Sequence, residues 1–244
     1  MSDWHKGLLL ALDTETTGVD VENDRIVTAC ASLINGTSGE ANTITWLANP
    51  GVEIPKGATD VHGITTAYAV EHGQDPAEVV QDLADTLMSQ VHEGVPIVGC
   101  NLQYDLTLMD RETRRHGLEP LWDRFSKSMP CVIDVRPLDK YCDRYRKGGR
   151  KLVDLCAHYG VRIDGAHDAS HDAIAAARVA YRIAQRNPKL AAMPLHELHA
   201  LQVKAVAEQQ RSFREYRASK GDPVDVREEW PIIPFVSEPA EPTR

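Results

Sequence analysis

Closely spaced acidic residues are the part of this sequence best suited to chemistry. Asp13 and Glu15 end the apolar stretch at 7–12 and are separated by one residue. On a strand, that spacing places both side chains on the same face. Two neighbouring carboxylates repel each other, and one would stay protonated unless a cation lay between them. The pair therefore suggests a site for a divalent cation, with a solvated strand end as the alternative.

Two further aspartates lie in segments that the sequence predicts to be helical. Asp105 follows Asn101, a typical helix N-cap residue, by about one turn, and most of its neighbours at helical spacing are apolar. A buried carboxylate there would need a partner or a metal, whereas a solvated one would complement the helix dipole. Asp172 lies in the alanine-rich segment 168–186. His167 could converge with it from a loop and act as a general base.

The elements that must position these residues follow from the hydrophobic pattern, which predicts a mixed sheet flanked by helices. Asn35-Gly36 is a strong signal for a hairpin turn, 50–65 is expected to be a loop, and little secondary structure is expected after Gly221. Strands are expected at 7–13, 25–36, 40–49, 95–100 and 131–135, and helices at 75–94, 101–116, 151–160, 168–186 and about 195–216.

Composition limits the classes of protein to which the chain can belong. Its 244 residues, 42% hydrophobic and 26% charged, suit one domain of ordinary size with an extension. No apolar run approaches the roughly 18 residues of a membrane helix, and no secretory leader is expected. Five cysteines without a CxxC pair predict reduced thiols in the cytoplasm. The net charge of −9 disfavours coating nucleic acid by charge alone, but not an enzyme that handles phosphates with divalent cations.

Three motifs occur in a fixed order along the chain. They are Asp-x-Glu-Thr-Thr-Gly at 13–18, Asn-x-x-x-Asp at 101–105 and His-x-Ala-x-x-Asp at 167–172. Together they resemble the exonuclease motifs of the DEDD superfamily, histidine subclass (DnaQ-like), which includes the proofreading epsilon subunit of bacterial DNA polymerase III. The resemblance covers about residues 7–186. It implies a ribonuclease H-like α/β domain at 1–187, and 188–244 is then a helical extension with a tail rich in proline and acids.

The resemblance also implies a reaction. The expected activity is 3′–5′ hydrolysis of DNA from a single-stranded or frayed 3′ end in proofreading or repair, releasing nucleoside monophosphates. Two Mg²⁺ or Mn²⁺ ions, about 3.5–4 Å apart, would activate water and stabilise the leaving oxygen. His167 would be the general base. The implied metal ligands are Asp13, Glu15, Asp105 and Asp172, and the implied substrate-binding residues are Thr16, Thr17, His62 and Asn101.

Several alternatives remain open at this stage. The substrate could be RNA, as in oligoribonuclease-like relatives, or the fold could bind nucleic acid without cutting it. His167 and His171 have the spacing of some zinc sites, but Asp168 stands where H-E-x-x-H needs glutamate. The basic loop 143–151 could contact a phosphate backbone or be solvated. The apolar stripe of the C-terminal helix predicts packing on the domain or on a partner such as a DNA polymerase.

Overall fold

The computed structural model describes residues 3–163 and 168–236, so His167 lies outside the described residues. The centre is a five-stranded mixed sheet. Its strands are β1 Leu8–Thr16, β2 Ile26–Asn35, β3 Ala41–Leu47, β4 Ile97–Gly99 and β5 Val132–Asp134. Their order is β3-β2-β1-β4-β5; β1, β2 and β3 are antiparallel, while β4 and β5 run parallel to β1. The predicted mixed sheet and its hairpin are confirmed.

Helices cover both faces of this sheet. Within the described residues, each helix is too short or too polar to cross a membrane. Asp75 caps α3 by accepting the N–H groups of Ala77 and Glu78. The helices are α1 Lys56–His62, α2 Thr66–His72, α3 Pro76–His92, α4 Leu102–Arg115, α5 Leu121–Lys127, α6 Val135–Cys142, α7 Leu152–Tyr159, α8 Ala169–Arg186, α9 Pro188–Ala191 and α10 Leu195–Ser219.

The loop expected over 50–65 is wrong, because α1 lies within it. Pro55, in an extended conformation, precedes the first turn, and Gly63 ends the helix at a φ of 79°. Lys56 and Asp60 add an ion pair between successive turns. A helix this short presents too few repeats for hydrophobic periodicity to reveal it.

The same limit explains the other differences between the predicted and observed elements. Helices α2, α5, α6 and α9 lie outside the predicted helices, and each has eight residues or fewer. The strand predicted at 131–135 ends at Asp134, and Val135 already begins α6. Asp134 marks the change, because its carboxylate accepts the N–H of Arg136 and caps the new helix.

Strand β1 is buried on both faces and separates two hydrophobic cores. Leu10 and Leu12 join the core built with α3, α4 and α5. Leu9 and Ala11 join the core built with α6, α7 and α8. Because side chains alternate along a strand, Asp13 and Glu15 continue the row that faces α8. Thr14, between them, continues the row that faces α4.

The C-terminal helix α10 packs against the edge of this sheet. The side chain of Gln202 is fully buried. Its Nε2 donates to the carbonyl of Val132 at 2.8 Å, and its Oε1 accepts the N–H of Asp134 at 2.8 Å. A side-chain amide thus satisfies the exposed backbone of edge strand β5, as a sixth strand would.

The segment that follows α10 also packs on the domain. Residues 222–236 contain neither helix nor strand, as expected. Trp230 and Ile232 are buried in the core shared with α3 and α4. The Ile233 N–H donates to Thr107 Oγ1 at 3.0 Å, and Arg111 donates to the Ile233 carbonyl at 3.0 Å. The described part of the extension therefore lies on the sheet and α4, while the domain boundary at residue 187 stays a prediction.

The pairing of Gln202 with β5 predicts a large effect of Gln202→Leu on stability. The substitution leaves two buried backbone groups without partners, each worth about 1–3 kcal/mol. We expect the free energy of unfolding, measured by urea denaturation, to fall by about 2–6 kcal/mol. Gln210→Leu is the control, because Gln210 lies half-buried on the same helix. Equal losses in the two variants would contradict this account of how α10 is held.

Candidate active site

Three of the four predicted metal-binding carboxylates lie together. Asp13, Glu15 and Asp172 each offer one carboxylate oxygen, and these atoms all lie within 4.8 Å of one another. The first two come from the end of β1, and Asp172 comes from the first turn of α8. Helix α8 packs on the face of β1 from which the side chains of Leu9 and Ala11 project. Because side chains alternate along a strand, Asp13 and Glu15 project from the same face and lie near α8.

Asp105 approaches the same strand from the opposite face. It is 4% exposed in the first turn of α4. One of its carboxylate oxygens accepts the Thr14 N–H at 3.1 Å and the Thr14 hydroxyl at 2.7 Å. The solvated alternative for Asp105 is therefore wrong. Thr14, which lies between Asp13 and Glu15, thus fixes the position of the Asp105 carboxylate relative to the other three.

The pKa values of these groups reflect burial and mutual repulsion. Burial, followed by the charges of Asp105 and Asp172, raises the pKa of Asp13 well above its ordinary value. Burial, followed by the charge of Asp172, raises the pKa of Glu15 to about 7. Burial raises the pKa of Asp105 to about 7, although its hydrogen bond from Thr14 acts in the opposite direction. Without a cation, the cluster therefore retains protons at pH values where isolated carboxyl groups are ionised.

The donor set of this cluster suits Mg²⁺ or Mn²⁺. The three converging side chains offer oxygen only, and hard divalent cations prefer carboxylate oxygen. His171, the histidine of the zinc alternative that lies within the described residues, is half exposed and lies 3.7 Å from the carboxylate of Asp168. It is not part of the carboxylate group. Among the described residues, the cluster therefore offers a metal ion carboxylate oxygens without a histidine ligand.

Asn101 occupies the N-cap of α4, but its side chain does not cap the helix as predicted. The carboxylate of Asp134, at the end of β5, accepts the N–H groups of Asn101 at 2.8 Å and Leu102 at 2.9 Å. Asn101 adopts a left-handed conformation with φ at 73°. Its side-chain oxygen instead accepts a hydrogen bond from Arg136 at 2.8 Å. Asp134 therefore caps α4 in place of the Asn101 side chain, and the Asn101 side-chain amide contacts Arg136 at the start of α6.

We call the group of Asp13, Glu15 and Asp172 the acidic cluster. A pocket of about 570 Å³ lies beside it. It is formed by the turn after β1, the helix α1 and the start of α4. All four predicted substrate-binding residues line it, together with Glu15 of the cluster. The lining includes Glu15, Thr16, Thr17, Gly18, Val61, His62, Asn101 and Tyr104.

The hydroxyl groups of this pocket are engaged in shaping its turn. Thr16 Oγ1 donates to the Gly18 carbonyl at 2.6 Å and lies 2.8 Å from the Tyr104 hydroxyl. Thr17 Oγ1 donates to Asp24 at 2.8 Å. Sequence reasoning missed Tyr104, although it directly precedes Asp105 within a recognised motif. A ligand that used these hydroxyls would have to exchange the bonds that they make within the protein.

His62 reaches the pocket because it lies in the last turn of α1. Its Nδ1 accepts the N–H of Ile64 at 3.1 Å, which fixes the orientation of the ring. Burial lowers the pKa of His62. The imidazole is therefore neutral at physiological pH, and it offers the pocket a flat, uncharged surface.

Comparisons of sequence identify the protein family. A family profile described as "Exonuclease" matches residues 10–180. An uncharacterized exonuclease of Escherichia phage 186 is 30% identical over 173 residues, which are 68% of this chain and 82% of the phage protein. The DNA polymerase III epsilon subunit of Buchnera aphidicola is 27% identical over 155 residues, which are 56% of this chain and 61% of that subunit.

Solved structures resemble the fold. Escherichia coli exonuclease I in complex with a dT13 oligonucleotide superposes with a TM-score of 0.61 at 20% sequence identity. The match covers 75% of this chain and 42% of exonuclease I. This chain therefore spans less than half the length of that enzyme, and the likeness concerns the fold of the shared domain.

The raised pKa values predict how stability depends on pH and metal. Carboxyl groups with a raised pKa in the folded state stabilise it while protonated, and that contribution is lost as the pH rises through about 7. In EDTA, we expect the thermal midpoint to fall as the pH rises from about 5 to about 7, by about 2–4 °C for each kcal/mol lost. Mg²⁺ or Mn²⁺ should reverse the loss.

Asp13→Asn is the discriminating variant for this prediction. It removes one charge from the cluster, so the metal-free midpoint at the higher pH should rise and the response to metal should shrink. Asp82→Asn serves as the matched control, because Asp82 is exposed on α3. A metal response in Asp13→Asn as large as in the unmodified chain would show that the cation binds elsewhere.

Proposed function

Because this chain belongs to the exonuclease family, and is thus a hydrolytic nuclease, we propose that it removes nucleotides from the 3′ end of single-stranded or frayed DNA. The observation that carries the proposal is the convergence of Asp13, Glu15 and Asp172 within 4.8 Å, beside a pocket of about 570 Å³. That volume lies within the range of about 300–1,000 Å³ typical of small-ligand sites. A terminal nucleotide is the natural occupant of a pocket next to a phosphate-cleaving centre.

The acidic residues are assigned to binding Mg²⁺ or Mn²⁺. Two such ions would polarise the scissile phosphate and lower the pKa of the attacking water. Asp13, Glu15 and Asp172 offer converging oxygens, and Asp105 is held against Thr14 on the other side of the strand. Four carboxylates approximately neutralise two dications, so the site can accept an anionic phosphodiester.

The bond changes of the proposed reaction are simple. The oxygen of water attacks phosphorus, and the bond between phosphorus and the 3′ oxygen of the preceding nucleotide breaks. His167 takes a proton from the attacking water. The 3′ oxygen leaves with the electrons of the broken bond and takes up a proton from solvent to become a hydroxyl group. The product is a nucleoside 5′-monophosphate. This role of His167 rests on the motif at 167–172.

The pocket is assigned to the terminal nucleotide. Thr16, Thr17, His62 and Asn101 line it. The neutral ring of His62 and the apolar side chain of Val61 suit the faces of a sugar and a base. Tyr104 joins this set, because its hydroxyl lies at the turn after β1 and can reach a polar group of the ligand.

DNA is the proposed substrate, and RNA is the alternative to be tested. One relative is a subunit of a DNA polymerase, and the solved exonuclease I complex holds a deoxyoligonucleotide. A role in proofreading or repair in the cytoplasm accords with these relatives and with five free cysteines. A polymerase or repair partner on the C-terminal extension stays a prediction; Tyr216, exposed on α10, is available for such a contact.

Hydrolysis of matched DNA and RNA oligonucleotides tests the proposal directly. With Mg²⁺ or Mn²⁺, we expect 5′-labelled DNA with a free 3′ hydroxyl to shorten stepwise, releasing monophosphates, and EDTA to stop the reaction. Mutation of a residue that only supports a metal ligand typically reduces metal affinity or activity by about 10–100-fold. Glu15 is assigned as a direct ligand, so Glu15→Gln should reduce kcat by more than about 100-fold. Glu93→Gln, at an exposed position, is the control. Faster cutting of RNA would support the alternative substrate, and full activity in EDTA would contradict the proposal.

The pH–rate profile tests the role of His167. A general base works only when deprotonated, so activity should fall on the acidic side as the imidazole gains a proton. His167→Ala should reduce kcat by about 10²–10⁴-fold and flatten that limb. His171→Ala controls for loss of a nearby histidine. An unchanged limb in His167→Ala would assign the proton to another group.

A further inference from the structure

A second groove adjoins the nucleotide pocket at Asn101. It has a volume of about 500 Å³ and lies between the start of α4, the helix α6 and the helix α10. Arg136, Lys140, Arg150 and Phe213 line it, and we call it the basic groove. Asn101 lines both the basic groove and the pocket beside the acidic cluster. The two cavities therefore meet at the residue that begins α4.

Two cations of the basic groove are available to a ligand. Arg136 is exposed, and its guanidinium donates to the Asn101 side chain at 2.8 Å. Among residues 3–163 and 168–236, no carboxylate lies within the 4.0 Å ion-pair distance of Arg136 or Lys140. Asp134 also lines the groove, but its oxygens accept backbone N–H groups at the ends of β4 and β5.

A third cation of the groove is fixed by a buried carboxylate. Asp139 is fully buried and accepts hydrogen bonds from Arg150 at 2.8 Å and from Arg146 at 3.1 Å. Tyr159 donates to the other oxygen of Asp139 at 2.9 Å. The basic loop 143–151 is therefore anchored to the domain, which places the Arg150 side chain along the groove.

The cations lie close enough to influence one another. Burial, followed by the charges of Arg150, Arg136 and Arg144, lowers the pKa of Lys140. The chain as a whole carries a net charge of −9, so this concentration of positive charge is a local exception. An anion in the groove would relieve the repulsion among these groups.

The opposite wall of the groove is partly aromatic. Phe213 on α10 is 40% exposed. Trp230 and Val206 complete an apolar surface beside it. Cations that follow a backbone and aromatic faces on which bases stack are the combination used to bind single-stranded nucleic acid.

We propose that the basic groove binds the strand immediately 5′ of the terminal nucleotide. Arg136 and Lys140 contact its phosphates, and Phe213 stacks on one of its bases. This inference rests on the proposed function. When the terminal nucleotide occupies the pocket on one side of Asn101, the strand continues past Asn101 into the groove on the other side.

Two substrates separate the groove from the active site. One is a single-stranded DNA oligonucleotide. The other is the 5′-nitrophenyl ester of a nucleoside monophosphate, in which nitrophenolate replaces the upstream strand. Lys140→Gln should lower the ratio of kcat/KM for the oligonucleotide to kcat/KM for the ester by about 10-fold at low salt. The slope of log kcat/KM against log salt for the oligonucleotide should become shallower by about 0.7, the value for one lost contact to a single strand.

Lys204→Gln is the matched control, because it removes the same charge from the opposite side of α10. Lys204 is exposed, and two residues of a helix turn through about 200°, which separates it from the groove residue Val206. Its ratio and salt slope should equal those of the unmodified chain. Phe213→Ala should lower the ratio without changing the salt slope.

The outcomes distinguish the two proposals. If the unmodified chain hydrolyses neither substrate, the proposed function fails and the inference fails with it. If both substrates are hydrolysed and Lys140→Gln has the ratio and slope of Lys204→Gln, the groove does not hold the strand. The proposed function would then stand, and the groove would suit a protein partner instead.

Discussion

The structure depends on holding mutually repelling carboxylates close together. Carboxylate oxygens of Asp13, Glu15 and Asp172 lie within 4.8 Å of one another, and partial burial limits the screening of their charges by water. Such an arrangement is unfavourable by itself, so other interactions must impose it. The apolar rows on both faces of β1 provide that constraint, because one core fixes α8 and the other fixes α4. The hydrophobic cores thus stabilise a site that favours a cation.

The end of β5 connects the active site to the C-terminal extension. Asp134 accepts hydrogen bonds from the backbone of Asn101 and Leu102, which sets the start of α4. The N–H of Asp134 is in turn held by Gln202 of α10. A change in α10 can therefore reach the first turn of α4, in which Asp105 lies. The described part of the extension is not part of the acidic cluster, yet it supports the helix that holds Asp105 against Thr14.

Charge is distributed unevenly around Asn101. On one side lie the acidic cluster and a pocket whose lining includes Glu15 and no Lys or Arg side chain of the described residues. On the other side lies the basic groove with Arg136 and Lys140. A nuclease must hold an anionic polymer and still place a phosphate among carboxylates. In the proposed function, separating the two tasks on either side of one residue allows strong attachment to the polymer without neutralising the acids assigned to the cation.

The sequence by itself determined the sheet, the long helices and the acidic residues that are candidates for the site. Long periodic segments and the spacing of Asp13 and Glu15 carry that information locally. Only the tertiary structure decided that Asp105 is buried against Thr14, that Asp134 caps α4, and that short helices such as α1 line the pocket. These depend on contacts between residues far apart in the chain, and no local pattern specifies which distant group will satisfy a buried carboxylate or a free backbone N–H.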